Sequence, residues 1–354
     1  MSDTSRGTGR MYNMDLERVL LIFLVIVLHY NNRDMGGALN ALSSGTGMEI
    51  FIRITQSLAI CAVDAFVISS GYFAAVKKET AAGAKPGGDI VIPWRKAVWL
   101  LCVCSFYRTV GYILYVALIT HDFSPRVLIG YMIPNNWFVC LFVTLLILSP
   151  YTDRALEGAG ASRLVCIMTV LFSVIPTIVT LAGDLGGVNV SGLATVTWKG
   201  DLSGFNIALF VYMYCLGYVL RSTRDYWDRF PAWSYLVMYV LVSCLTAALS
   251  RFTESIWNYS SVTVVLEAVM LTLAFTRFRI GSERAGRVIS AVGGCSLGIF
   301  IWHTMPLMIF GLWSRFDIPG DFAAATLSMY ALSFIWVFIC RSVTSIVRTR
   351  IRGR

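Results

Sequence analysis

Apolar segments of membrane-spanning length dominate this sequence and restrict the folds open to it. A helix needs about 20 predominantly apolar residues to cross the hydrocarbon core of a bilayer. Ten runs of this kind can be read, at roughly 14-33, 53-75, 97-119, 136-152, 163-182, 204-221, 233-250, 258-276, 289-311 and 323-346. Because lipid offers no hydrogen bonds to the backbone, such runs form helices. The sequence therefore predicts an all-α, polytopic membrane protein with about ten transmembrane helices.

Composition and charge distribution agree with this interpretation. Hydrophobic residues make up 57% of the 354 residues and charged residues 14%, whereas soluble domains carry about 25% charged residues. With a cytoplasmic N-terminus, 22 of the 29 Lys and Arg residues fall on the cytoplasmic side and six on the outer side, as the positive-inside rule requires. We expect one membrane domain over 1-354, with a cytoplasmic segment at 1-13, a basic tail at 347-354 and both termini in the cytoplasm.

The same pattern argues against two other functions. The net charge of +9 comes from basic residues spread through short loops, without the patterned patch of a nucleic-acid-binding protein, so no nucleic acid is expected. The three His residues lie far apart, and the nine Cys residues form no CxxC pair. No metal site is predicted, and the cysteines are interpreted as membrane packing residues.

The stretch RVLLIFLVIVLH, from Arg18 to His29, is apolar between two polar ends. Eleven helical steps of about 100° place both end residues on one helix face, about 16 Å apart along the axis. Asp15 precedes Arg18 by three residues and can pair with it, and Ile22 and Val25 continue the face. Either the two polar side chains reach the headgroups on opposite sides of the membrane, or they mark two functional positions.

Four further ionisable residues fall within predicted spans. A carboxylate at the middle of the bilayer costs roughly 2.5–3.5 kcal/mol on insertion scales, so Asp64 in the second span is expected to have a pairing or functional role. Arg108 and Glu267 could neutralise each other or Asp64, or contact a substrate. His303, before Pro306, could pack between helices or contact a substrate.

Four stretches, taken together, resemble the acyltransferase-3 family of integral membrane acyltransferases. DLERVLLIFLVIVLH resembles its first-helix signature, with an Asp three residues before an Arg and ten residues between that Arg and a His. VDAFVISSGYF, NNWFVCLFVTLLILSPY and SLGIFIWHTMP resemble its second, fourth and late spans, in the same order. The sequence departs from the family pattern at Pro93, which precedes the basic pair, and at Val67, where many members have Phe.

The resemblance implies a function. Members move an acyl group, often acetyl or succinyl, from cytoplasmic acyl-CoA to a hydroxyl of an extracytoplasmic glycan or related envelope acceptor. We therefore expect an O-acetyltransferase of the bacterial plasma membrane with no permanently bound cofactor and acyl-CoA, in particular acetyl-CoA, as donor. Its partners would be a surface glycan or lipid-linked saccharide and membrane lipids. Two alternatives stay open: a multi-pass transporter or flippase for a lipid-linked sugar or small metabolite, and a sensor or partner domain.

The resemblance and the helix geometry together suggest roles for individual residues. We expect the CoA head near Arg18, its arm directed to His29, His29 as general base on the acceptor hydroxyl, and Asp64 orienting that imidazole. The other candidates for donor binding are Ser70, Lys77, Lys78, Arg95, Lys96, Arg277, Arg279, Arg284 and Arg287, although the positive-inside rule alone also accounts for the cations. The candidates for acceptor binding are His303, Trp137, Glu267 and Arg108.

Overall fold

The computed structural model describes residues 11–44, 47–80, 90–158, 160–187, 204–306 and 319–352, and these residues contain helices and no strand. The helices are α1 (Tyr12–Asn31), α2 (Gly47–Ile60), α3 (Ala62–Thr80), α4 (Trp94–Tyr115), α5 (Pro125–Met132), α6 (Trp137–Ala155), α7 (Ala161–Thr169), α8 (Ile175–Gly186), α9 (Ile207–Ser222), α10 (Arg224–Trp227), α11 (Ala232–Leu249), α12 (Val262–Arg277), α13 (Glu283–Gly293), α14 (Ser296–Trp302) and α15 (Pro319–Arg352). Short 3₁₀ helices cover Ala38–Ser44 and Glu254–Trp257.

Eight helical stretches in the described part of the chain are long and apolar enough to span a membrane. They are Gly47–Val76, Trp94–Thr120, Pro125–Ala155, Ala161–Gly186, Ala232–Leu249, Glu254–Arg277, Glu283–Trp302 and Asp321–Thr344. The two other predicted spans, 14-33 and 204-221, correspond to α1 and α9. Helix α9 has only 16 residues, and α1 carries Asp15, Glu17 and Arg18 in its first two turns. The predicted span 289-311 lies partly outside the described residues. The chain is thus a multi-pass membrane protein.

The spanning helices divide into an inner and an outer set. In Gly47–Val76 and in Glu254–Arg277, 72% of the most apolar window is buried inside the protein, against 17% in Ala161–Gly186. The outer helices expose large apolar side chains such as Trp99, Ile178 and Leu241. Because lipid solvates such side chains as well as a protein core does, the outer set is suited to a bilayer.

Helices α3 and α9 cross at unusually close range because each contributes a glycine. A Cβ added to Gly71 would lie 1.9 Å from the carbonyl oxygen of Tyr214, and one added to Gly217 would lie 1.9 Å from that of Ile68. Small residues allow this approach between membrane helices, where backbone contact and packing replace the hydrophobic effect. Gly71 of the SGY stretch is therefore explained by the close packing of α3 on α9.

Helix α1 lies at the centre of the bundle, where it packs against α2, α3, α12, α13, α14 and α15. Two asparagine caps begin helices at the end of the bundle where α1 finishes. Asn136 Oδ1 accepts from Val139 N at 3.1 Å at the start of α6, and Asn206 Oδ1 accepts from Leu209 N at 3.0 Å at the start of α9. These caps fix the adjacent aromatic residues Trp137 and Phe205, which meet at 4.8 Å between ring centroids.

Candidate functional site

Two histidines from opposite ends of the sequence meet at the end of α1. His29 lies in its last turn and His303 directly after α14. Nε2 of His303 is 3.1 Å from Nδ1 of His29, and the ring centroids are 4.6 Å apart. His303 is buried, whereas His29 is partly exposed. The imidazole of His29 is thus supported by a buried neighbour.

Backbone carbonyls assign the tautomers of both rings, since a carbonyl oxygen can only accept. Nδ1 of His29 donates to the Val25 oxygen at 2.8 Å, and Nδ1 of His303 donates to the Phe300 oxygen at 2.7 Å. Nε2 of His303 is therefore an acceptor and faces the Nδ1–H of His29. Nε2 of His29 carries a lone pair and has no hydrogen-bond partner among the described residues. Such a nitrogen can take a proton.

His29 lines a cavity of about 760 Å³ at this end of the bundle. Seven aromatic residues line it: Tyr107, Tyr131, Trp137, Phe205, Trp257, Tyr259 and Phe300. Five side-chain amides line it as well: Asn32, Gln56, Asn135, Asn136 and Asn258. Among the described lining residues Arg108 alone carries a full charge. This cavity, which we call the outer cavity, offers both flat apolar surfaces and many hydrogen-bonding groups.

Three of the four residues predicted to bind the acceptor lie on the outer cavity together with His29. They are His303, Trp137 and Arg108. The fourth, Glu267, is fully buried in α12, and its Oε1 lies 2.5 Å from Thr246 Oγ1 of α11. The structure therefore brings the first three together and leaves Glu267 outside the cavity lining.

A second, much smaller cavity continues along the Arg18–His29 face of α1. It measures about 20 Å³ and is lined by Leu21, Ile22, Val25, Ala62, Val63, Phe66, Phe138, Leu297 and Phe300. Val25, Val63 and Phe300 also line the outer cavity, so the two cavities adjoin each other. This volume holds about one water molecule, and the ring centroids of Phe138 and Phe300 are 4.9 Å apart. We call this small cavity the apolar slot. It lies along α1 between His29 and Arg18.

Arg18 lies at the opposite end of α1 from His29. Its Nη1 is 3.2 Å from Asp15 Oδ1, which confirms the predicted pair, and its guanidinium lies 4.9 Å from the centroid of the Phe73 ring. Helix α13 packs beside this end of α1, with Gly286 against Tyr12. Helix α13 also carries the exposed Arg284 and Arg287, so several cations gather where α1 begins.

The other predicted donor-binding residues differ in their surroundings. Arg95, Lys96 and Arg279 are exposed. Arg277 is held by Asp228: its Nη1 lies 2.9 Å from the carboxylate, and its Nη2 donates to the backbone oxygen at 2.7 Å. The side chains of Lys77 and Lys78 lie outside the described residues.

Ser70 was also expected at the donor site. Its hydroxyl donates to the Phe66 oxygen of its own helix at 3.0 Å. Ser70 lines neither the outer cavity nor the apolar slot. The structure therefore accounts for this side chain within α3.

Asp64 does not make the contact expected of it. It is buried on α3, near enough to Glu267 for an electrostatic interaction, and its Oδ2 has no hydrogen-bond partner among the described residues. The helix face that bears Asp64 turns to α12, whereas Nδ1 of His29 contacts Val25 and His303. His303 thus makes the contact with the catalytic candidate that was assigned to Asp64.

The buried carboxyl group of Glu17 and most of the outer-cavity lining were not predicted from the sequence. Glu17 is fully buried and accepts from Ser69 Oγ at 2.7 Å. Its position among apolar residues, next to Arg18, was the available signal. The amides of Asn135 and Asn136 stand directly before Trp137 in the sequence NNWF, but nothing in that sequence shows that they face His29.

Comparison with known proteins assigns the family. No curated protein and no solved structure matches the chain. A model of one protein family, described as an acyltransferase domain, matches residues 11–342, a range that includes His29, His303, Arg18 and both cavities. An enzyme that transfers acyl groups is therefore favoured over the transporter alternative. Because the match extends over most of the chain, this membrane protein belongs to the acyltransferase-3 family.

Proposed function

We propose that this protein transfers an acyl group, acetyl or succinyl, from cytoplasmic acyl-CoA to a hydroxyl of an extracytoplasmic glycan or related envelope acceptor. The observation that carries the proposal is that the apolar slot adjoins the outer cavity beside His29 and lies along α1 on the side of Arg18. The two ends of one helix face would thus serve two substrates on opposite sides of a membrane. The proposed location is the bacterial plasma membrane.

The donor would bind at the end of the bundle where α1 begins. CoA carries several phosphates, and exposed cations at this end, among them Arg95, Arg279 and Arg284, attract them without removing them from water. The pantetheine arm is long and narrow, so it can follow the apolar slot over the roughly 16 Å between Arg18 and His29. In the structure the slot is closed around Phe138 and Phe300, so side chains must move aside for the arm.

The chemistry would take place beside His29. Nε2 of His29 removes the proton of the acceptor hydroxyl as its oxygen forms a bond to the thioester carbonyl carbon. When the tetrahedral intermediate collapses, the carbon–sulfur bond breaks and the CoA thiolate takes the proton from His29. His303 accepts from Nδ1–H of His29 throughout and keeps the ring in the required tautomer. General base catalysis of this kind typically contributes about 10²- to 10⁴-fold.

The lining of the outer cavity supports a saccharide acceptor. Sugar hydroxyls need donors and acceptors, which the five amides supply, while the apolar faces of sugar rings can lie on aromatic side chains such as Trp137 and Tyr259. These two rings are 6.0 Å apart with 32° between their planes.

The proposal is tested with purified protein in lipid vesicles that are loaded with an extract of envelope glycans, with radiolabelled acetyl-CoA added outside. We expect His29→Asn to reduce transfer by about 10²-fold or more, because the amide cannot take a proton. The matched control is His121→Asn, since His121 is exposed and has a positive φ of 54°, which Asn tolerates. Full transfer by a normally folded His29→Asn protein would overturn the proposed mechanism.

A further inference from the structure

Arg108 places a positive charge on the outer cavity that no carboxylate among the described residues neutralises. Its side chain is partly buried, and its guanidinium lies 5.2 Å from the centroid of the Tyr131 ring. Nη1 donates to the Asn135 backbone oxygen at 2.8 Å, while the buried Nε has no hydrogen-bond partner among the described residues. A guanidinium has five N–H donors, so most of its capacity is left over.

Two other arginines in the same half of the bundle are neutralised by carboxylates. Arg33 lies 2.5 Å from Glu254, and Arg53 lies 2.9 Å from Glu49. Arg108 has no such partner in the described chain, and no acidic residue lines the outer cavity there. A charge kept partly buried without a counter-ion is costly, and a bound anion would remove that cost.

We propose that Arg108 binds an anionic group, a carboxylate or phosphate, on the saccharide acceptor, so that the protein prefers acidic over neutral sugars. This inference rests on the proposed function and specifies its acceptor. The planar fork of the guanidinium suits two parallel hydrogen bonds to either anion. The Tyr131 ring holds the guanidinium from one face, and Asn135 fixes one of its nitrogens.

The position of Arg108 favours the acceptor over the phosphates of the donor. It lies in the fourth turn of α4, about 21 Å along the axis from the start of that helix at Trp94. The exposed Arg95 and Lys96 are at that start, at the end of the bundle assigned to CoA. Arg108 and His29 line the same cavity at the other end. The anion would therefore be held on the side from which the acceptor comes.

The test measures binding and does not depend on turnover. Methyl β-glucuronide and methyl β-glucoside differ by one carboxylate, and glucose 6-phosphate serves as the phosphate probe. Calorimetry on purified protein in lipid nanodiscs compares their dissociation constants. We expect wild-type protein to bind at least one anionic probe about ten- to hundredfold more tightly than the glucoside, as a hydrogen bond to a charged group allows. The anionic probe with the lower dissociation constant identifies the anion as a carboxylate or a phosphate.

Three variants separate recognition from folding. Arg108→Gln is expected to remove the preference for the anionic probe, while Arg108→Lys keeps part of it because the charge persists. Arg126→Gln, at an exposed arginine of α5, should keep all of it. Equal binding of neutral and anionic probes by wild-type protein, or a preference that survives Arg108→Gln, would overturn the inference.

A transfer assay shows whether the anion bound by Arg108 belongs to the acceptor or to the acyl group. Succinyl-CoA ends in a free carboxylate and acetyl-CoA does not, so both donors are compared with one neutral acceptor. If Arg108→Gln lowers succinyl transfer and leaves acetyl transfer and probe binding unchanged, the anion belongs to the donor and the inference is wrong. If the wild-type protein transfers no acyl group but still prefers the anionic probe, the result would count against the proposed function alone.

Discussion

At the scale of single residues, the environment of His29 depends on a partner 274 positions away. The Nδ1–H of His29 is shared between the Val25 oxygen and Nε2 of His303. Both partners are neutral acceptors, so they hold the ring without an ionic bond. His303 therefore acts as a positioning residue, and Nε2 of His29 is left for the acceptor.

Two substitutions at His303 should reveal this positioning role. We expect His303→Leu to lower kcat about ten- to hundredfold with little change in the KM for acyl-CoA, because a hydrogen-bond partner that orients a functional histidine typically contributes that much. His303→Gln should recover part of the loss, since its Oε1 can accept from Nδ1–H. The kcat and donor KM of both variants provide the measurement. Equal loss in both, at equal stability, would show that His303 only fills space.

The sequence predicted which residues of this site were unusual but not which would meet. Helical periodicity placed Asp15 next to Arg18, and the ion pair confirms it, because that contact is local. Asp64 was expected beside His29 because of its depth in the second span and because of the family resemblance. The packing of α3 on α12 decides the matter, and a single sequence carries no signal for which helix faces touch.

At the scale of helices, glycines set the distances that the bundle needs. Gly71 and Gly217 bring the backbones of α3 and α9 into contact. Ala62, Val63 and Phe66 of the same helix α3 line the apolar slot. The crossing therefore positions a helix that forms one wall of the slot.

Alanine at the crossing should destabilise the protein. Because its Cβ would lie 1.9 Å from a backbone oxygen of α9, we expect Gly71→Ala to cost about 1–3 kcal/mol of stability. Thermal unfolding in detergent measures the loss. Gly130→Ala is the control, since no described atom lies within 4 Å of the added Cβ. If the two alanine variants unfold at the same temperature, the close crossing is not what holds α3 and α9 together.

At the scale of the whole molecule, the ten apolar runs were readable from the sequence because bilayer thickness sets their length. Helix α15 shows where this rule stops, since it continues to Arg352 beyond the predicted span 323-346 and into the basic tail. The two cavities were not predictable, because they are formed by residues from many helices. The structure adds the outer cavity and the apolar slot, which follow each other along α1, with the cations at the end where α1 begins.

Donor and acceptor are proposed to react from opposite sides of the membrane. Sealed vesicles containing the protein can hold an impermeant acceptor oligosaccharide inside, with radiolabelled acyl-CoA added only outside, and His29→Asn vesicles as the control for leakage. We expect labelled acceptor in the lumen of wild-type vesicles, and none when donor and acceptor are both outside. Labelled acceptor formed only when both share a compartment would contradict it.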